Sequence, residues 1–262
     1  KEPFWLGPDP LGGDIVCPRD RRLGCALVDT LRPNHRRRCT HFLSWVWSYP
    51  ILDVKDALNM WVDDTMLEAE SIFLFMCFFV NNQFRILVDG SQSGVDNLEI
   101  VFEQNLRRIG HVVAMVDQWQ HPRYLQRIWT IYEQYEALRL GLPVTMILAR
   151  RPSEEVIRQL DFGRSGIFRI KESFCNIDVE IAQASVKLDE VRIKALIRST
   201  VGFDRVNQRV QESMVGWVAA MLRRHLDELM NTTTVDSVAQ TSQVRRRMAV
   251  TQLPKMPTAG MA

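Results

Sequence analysis

Glu133 stands in the run Arg127-Ile128-Trp129-Thr130-Ile131-Tyr132-Glu133, four residues after a tryptophan. On a helix that spacing is one turn, so the carboxylate and the indole share a face. The run lies inside a strand-helix-strand pattern, and such units take ligands at the carboxyl ends of their strands. Other chemistries have weaker support. His35, Cys39 and His41 are metal-ligating types, but they fall irregularly and have no fourth ligand nearby, so no metal site is expected. Gly90-Ser91-Gln92-Ser93-Gly94 resembles a nucleophile elbow in composition, yet it does not join a strand directly to a helix. No Gly-x-Gly-x-x-Gly follows a strand and no Walker lysine is present, so a cradled phosphate has no motif behind it.

The elements that must position Glu133 are legible around it. The apolar run from His111 to Val116, with Gly110 before it, predicts a buried parallel strand. Pro122 opens a helix whose stripe is Leu125, Ile128, Trp129, Tyr132 and Glu136, and Gly141 stops it. Pro143 then leads into a second buried strand from Val144 to Ala149.

Upstream, Thr40 to Trp47 reads as a first strand, and Asp53 caps a helix carrying Val54, Ala57, Leu58 and Trp61 on one side. The apolar run Ser71 to Val80 predicts a central strand covered on both faces, followed by a long polar loop over residues 81–97. A helix through Leu98, Val101, Phe102, Leu106 and Ile109 feeds the strand at His111.

Downstream, a short helix from Ser153 to Leu160 is followed by a loop over residues 162–169, which holds two glycines. Residues 174–184 suggest an edge strand. Asp189 caps a further helix that Gly202 ends. Val206, Val210, Met214, Trp217 and Met221, and then Leu222, Leu226 and Leu229, give a last helix a stripe that is expected to be buried.

The order of elements predicts an α/β fold: a flavodoxin-like, doubly wound, mainly parallel sheet with a C-terminal helical extension. Among 262 residues, 46% are hydrophobic and 24% charged, which suits a folded protein rather than a disordered one. The net charge is +2, and Arg36-Arg37-Arg38 and Arg245-Arg246-Arg247 lie towards the ends without interleaved aromatics. Solvated tails are expected, not a specific nucleic-acid surface. Five widely spaced cysteines point to reduced thiols and a cytoplasmic setting. The longest apolar run is about half the ~20 residues that a spanning helix needs. The missing initial methionine is read as the mark of a fragment or processed form of a larger protein.

Trp129-Thr130-Ile131-Tyr132-Glu133 resembles the Trp-Cys-Leu-x-Glu signature of TIR (Toll/interleukin-1 receptor) domains, and Phe42-Leu43-Ser44 resembles the opening strand of that family. The fuller run Thr40-His41-Phe42-Leu43-Ser44-Trp45-Val46-Trp47, with Asn82-Gln83 later, is similar to TIR-like domains of algal and protist multidomain proteins. On this reading residues 1–39 are a flexible lead-in, 40–170 the TIR-like domain, 171–230 a helical extension packed on it and 231–262 a disordered tail.

The resemblance implies a signalling module that associates with itself or with other TIR-like domains, through the loop over residues 81–97. It implies no cofactor. The alternative it implies is an NAD glycohydrolase, with NAD as substrate, Glu133 as the catalytic carboxylate and Ser44, Trp47 and Trp129 as binding residues. The departing nicotinamide is already cationic and needs no general acid, while the oxocarbenium-like ribose gains from a carboxylate. Four positions depart from the family pattern: Trp45 stands for a histidine, Thr130 for a cysteine, Cys77 for an acid and Phe84 for a histidine. Those losses favour the module over the enzyme.

Overall fold

The computed structural model describes residues 12–87, 98–175 and 177–251. Four parallel strands form one sheet in the order β2-β1-β3-β4: β1 His41–Ser44, β2 Leu74–Phe75, β3 Val112–Met115 and β4 Val144–Ile147. The register pairs Phe42 with both Phe75 and Val112, and Val112 with Val144. Helices cover both faces, which is the flavodoxin-like arrangement. All four residues of β3 are buried, as a strand enclosed on two faces requires.

The helices, in chain order, are α1 Leu27–Thr30, α2 Ile51–Thr65, α3 Cys77–Val80, α4 Gln83–Leu87, α5 Leu98–Ile109, α6 Ile128–Arg139, α7 Arg150–Leu160, α8 Arg164–Cys175, α9 Lys187–Thr200 and α10 Phe203–Thr251. Val54, Ala57 and Trp61 turn the buried face of α2 onto one side of the sheet, where they cluster with Leu43, Val113, Met115 and Ile147. On the other side Phe42, Phe75, Leu106, Val112 and Ala137 form a second cluster.

Several elements differ from the sequence reading. Residues 71–80 do not make a central strand: β2 is two residues long at the sheet edge and runs on into α3. Both settings bury both faces, for Leu74, Met76, Phe78 and Phe79 pack on one cluster and Cys77 and Val80 on the other. A short apolar run cannot distinguish the two.

Residues 164–175 are helical where two glycines suggested a loop, and among the described residues no edge strand forms over 174–184. Only an isolated parallel bridge, Arg127 to Gln183, appears there. Asp53 and Asp189 sit in first turns rather than at caps, since the flanking positions are Pro50 and Val186. The part of the lead-in over residues 12–39 is folded, with Cys17, Cys25 and Ala26 buried.

The chain divides into two compact units, residues 1–216 and 217–262. In the first, Val206, Val210 and Met214 of α10 are fully buried, as their spacing predicts. In the second, Trp217, Met221 and Leu222 are only partly buried and Leu226 and Leu229 are each 50% exposed, so the expected buried stripe does not extend past Met214 along these residues. Helix α10 continues to Thr251, past Asn231, where the sequence places the start of a disordered tail. Most of the proposed association loop, residues 88–97, lies outside the described residues. Among the described residues no helix is long and apolar enough to cross a membrane.

Candidate functional site

Strand β1 ends at Ser44, and α6 crosses behind it, so two residues 89 apart in sequence meet. The Ser44 hydroxyl donates to Glu133 Oε2 at 2.6 Å, and it shares a second hydrogen bond of 3.0 Å with the Tyr124 hydroxyl. Ser44 and Tyr124 are wholly buried and Glu133 is 8% exposed. Burial drives the Glu133 carboxyl up to about 8, and the Ser44 hydroxyl bond opposes that rise. The Tyr124 phenol is pushed above its usual range by burial. A chain of three oxygens therefore runs from Tyr124 through Ser44 of β1 to Glu133 of α6, with the carboxyl at its end.

Glu133 also lines a cavity of about 1710 Å³ at the carboxyl edge of the sheet. Trp47, beyond β1, and Trp129, one turn before Glu133, line the same cavity, as do Cys77, Arg127 and Asp189. Of the four candidate site residues, Glu133, Trp47 and Trp129 are thus brought to one space. Ser44 stands behind Glu133 and holds it.

Trp47 meets the Phe78 ring edge-on, with centroids 5.4 Å apart. Asp189 is raised from its usual value by burial, against a hydrogen bond from Trp129 that lowers it. This bond accounts for Asp189 facing inward instead of capping α9. The Cys77 thiol is pushed up to about 12, mainly by burial and further by the neighbouring Glu133 charge.

The N-terminal end of α6 is fixed by its own residues. Thr130 Oγ1 donates to the carbonyls of Tyr124 and Arg127, the latter at 3.0 Å, so the hydroxyl is taken up by backbone acceptors. Ile128 N donates to Gln183 O and Gln183 N to Gln126 O, which ties the start of α6 to the segment before α9. Arg127 reaches the Ser185 hydroxyl at 2.6 Å, and burial lowers its guanidinium below its usual value.

At the end of β3, Asp117 accepts from Arg123 Nε at 2.7 Å and from the Tyr49 hydroxyl at 3.3 Å. The Arg123 guanidinium lies over the Tyr49 ring. Trp45 is buried, and among the described residues its indole N–H has no hydrogen-bond partner.

Sequence reasoning missed Tyr124. Its one signal was chemical: a tyrosine just after Pro122 in an apolar stretch must place its hydroxyl against a polar group if it is buried. Sequence reasoning also passed over Cys17, Cys25 and Asp29, which bring one ligand atom each within 4.8 Å of one another. His35, Cys39 and His41 do not gather in this way.

No family model, curated protein or solved structure matches the chain.

Proposed function

We propose that the chain is a TIR-like domain whose cavity receives the nicotinamide end of NAD and cleaves the nicotinamide–ribose bond, with Glu133 as the catalytic carboxylate. The observation that carries this reading is the Glu133 carboxylate, held by Ser44 and facing a cavity that Trp47 and Trp129 also line. In the reaction the carbon–nitrogen bond breaks and its electron pair goes to the nicotinamide ring, which leaves neutral. Positive charge gathers on the ribose beside Glu133, water adds at that carbon and its proton passes to solvent or to the carboxylate.

Before substrate binds, Glu133 is largely protonated at neutral pH. A cationic ring beside it favours the ionised form, so substrate binding and loss of that proton are linked. Turnover at low substrate should therefore rise with pH, pass its midpoint near 8 and level off above it. The test is nicotinamide release by purified chain at high concentration, between pH 6 and 9, beside Glu133→Gln. Release by the wild type with loss of at least about a hundredfold in the variant is expected. Equal release by both proteins would remove Glu133 from the chemistry.

A second reading, a cytoplasmic self-association module without catalysis, is supported by Trp45, Cys77 and Phe84, which stand where the resembled TIR pattern has polar or acidic side chains, and by Thr130, whose hydroxyl is spent on the carbonyls of Tyr124 and Arg127. It expects no nicotinamide at any pH and a mass that grows with concentration in sedimentation. Assembly should then be the same in Glu133→Gln.

A further inference from the structure

The segment before β1 closes on itself. Cys17 N donates to Arg22 O at 2.8 Å, Arg21 N to Cys17 O at 2.9 Å and Cys25 N to Gly12 O at 2.9 Å, with an antiparallel bridge between Val16 and Leu23. Gly12 has φ +80°, and a Cβ there would lie 2.3 Å from the Cys25 carbonyl oxygen, so the fold of this turn requires glycine. The turn is anchored on α4 and the residue before it: Asn82 Nδ2 donates to Gly24 O at 2.7 Å, and Arg85 donates to the carbonyls of Leu23 and Arg22. This scaffold places two buried thiols, Cys17 at 2% and Cys25 at 3% exposure, against the Asp29 carboxylate of α1.

We propose that Cys17, Cys25 and Asp29 form a binding site for a thiophilic divalent cation of the zinc type. The ligand atoms lie within 4.8 Å of one another, and Cys17 Sγ is 4.0 Å from Asp29 Oδ2. Tetrahedral zinc bonds of ~2.3 Å to sulfur and ~2.0 to 2.2 Å to oxygen bring such atoms about 3.5 to 3.8 Å apart. The cluster closes on a cation with shifts of under about an ångström, within the reach of side-chain rotation. Two thiolates set the preference, since soft ligands select zinc over magnesium or calcium.

Asp29 distinguishes this cluster from a mere thiol pair, because a carboxylate facing two thiols adds to the charge that holds a cation. On binding, both thiols lose their protons to solvent and the three ligands carry −3 against +2. Arg19, which donates to Asp29 Oδ2 at 2.7 Å, offsets the remainder from the rim. The three protein ligands leave a fourth position for water. A cation here would staple the turn whose anchors, Asn82 and Arg85, flank two residues that line the main cavity, Gln83 and Ile86.

Cobalt(II) is the probe, titrated into the full reduced chain, because thiolate bonds give it a charge-transfer absorption. One equivalent per chain should produce the band, zinc should displace it, and the melting temperature should rise. Cys17→Ser and Cys25→Ser should lose most of the band. Asp29→Asn should keep both thiolates but weaken binding by at least about tenfold, and Cys39→Ser should change nothing. The proposal is overturned if the folded, reduced wild type gives no band, or if the band survives Cys17→Ser or disappears in Cys39→Ser. Should the serine variants fail to fold, wild-type stoichiometry together with Asp29→Asn decides the matter. An unchanged affinity in that variant overturns the three-ligand site.

Discussion

A glutamate at the Glu133 position gains one hydroxyl partner and loses most of its water, and the loss dominates, which is why its carboxyl is pushed up to about 8. The unfolded chain returns it to an ordinary carboxyl near ~4.3. Below that value both states are protonated and folding is not penalised. As pH rises further the unfolded state ionises while the folded state stays neutral, so stability falls with pH and the fall ends near 8.

Each unit of difference is worth about 1.4 kcal/mol, so the total is on the order of a few kcal/mol. Urea unfolding at pH 5 and pH 8 should therefore show Glu133→Gln gaining on the wild type by roughly 2 kcal/mol or more at the higher pH. A constant difference between the two proteins across that range would mean that Glu133 ionises freely when folded. At this scale the sequence was half legible. Glu133 and Trp129 lie in one short run, and its resemblance to a TIR signature marked them, whereas Tyr124 touches Ser44 across 80 residues, a contact that no local run displays.

Among the elements, α8 carries the plainest lesson. Two glycines suggested a loop over residues 162–169, but only Gly163 behaves as a breaker, at φ +60° between α7 and α8. Gly166 lies within α8, and a Cβ built on it would stand 1.7 Å from the Gln159 carbonyl oxygen of α7. It is small because two helix backbones meet there, a reason that propensity cannot reveal. Gly166→Ala improves intrinsic helix propensity by about 1 kcal/mol, yet it must push the helices apart. The steric cost wins, and a net loss of ~1 to 3 kcal/mol is expected in thermal or urea unfolding. A variant as stable as the wild type would show that α7 and α8 separate freely. The apolar run ending at Val80 failed for a different reason: enclosure was read correctly, but enclosure does not specify strand.

For the whole molecule, alternating strands and helices made the α/β class readable, and β1, β3, β4, α5 and α6 fall close to where periodicity put them. The position of β2 at the edge was not readable, because strand order depends on which surfaces the helices leave open. The parallel sheet itself joins distant segments, and the Ser44–Glu133 bond lies between two of them, 89 residues apart.

That separation has a kinetic consequence. Side chains so far apart can settle only after the sheet and α6 have docked, so the bond should be absent at the folding barrier. Ser44→Ala removes a buried partner and should cost ~1 to 3 kcal/mol at equilibrium. Nearly all of that loss should appear as faster unfolding, with the folding arm of the denaturant chevron almost unmoved. If refolding slowed by the full equilibrium amount instead, the oxygen chain would belong to the nucleus. The expected result makes the site a latch: it sets how long the native state lasts and leaves the speed of folding alone.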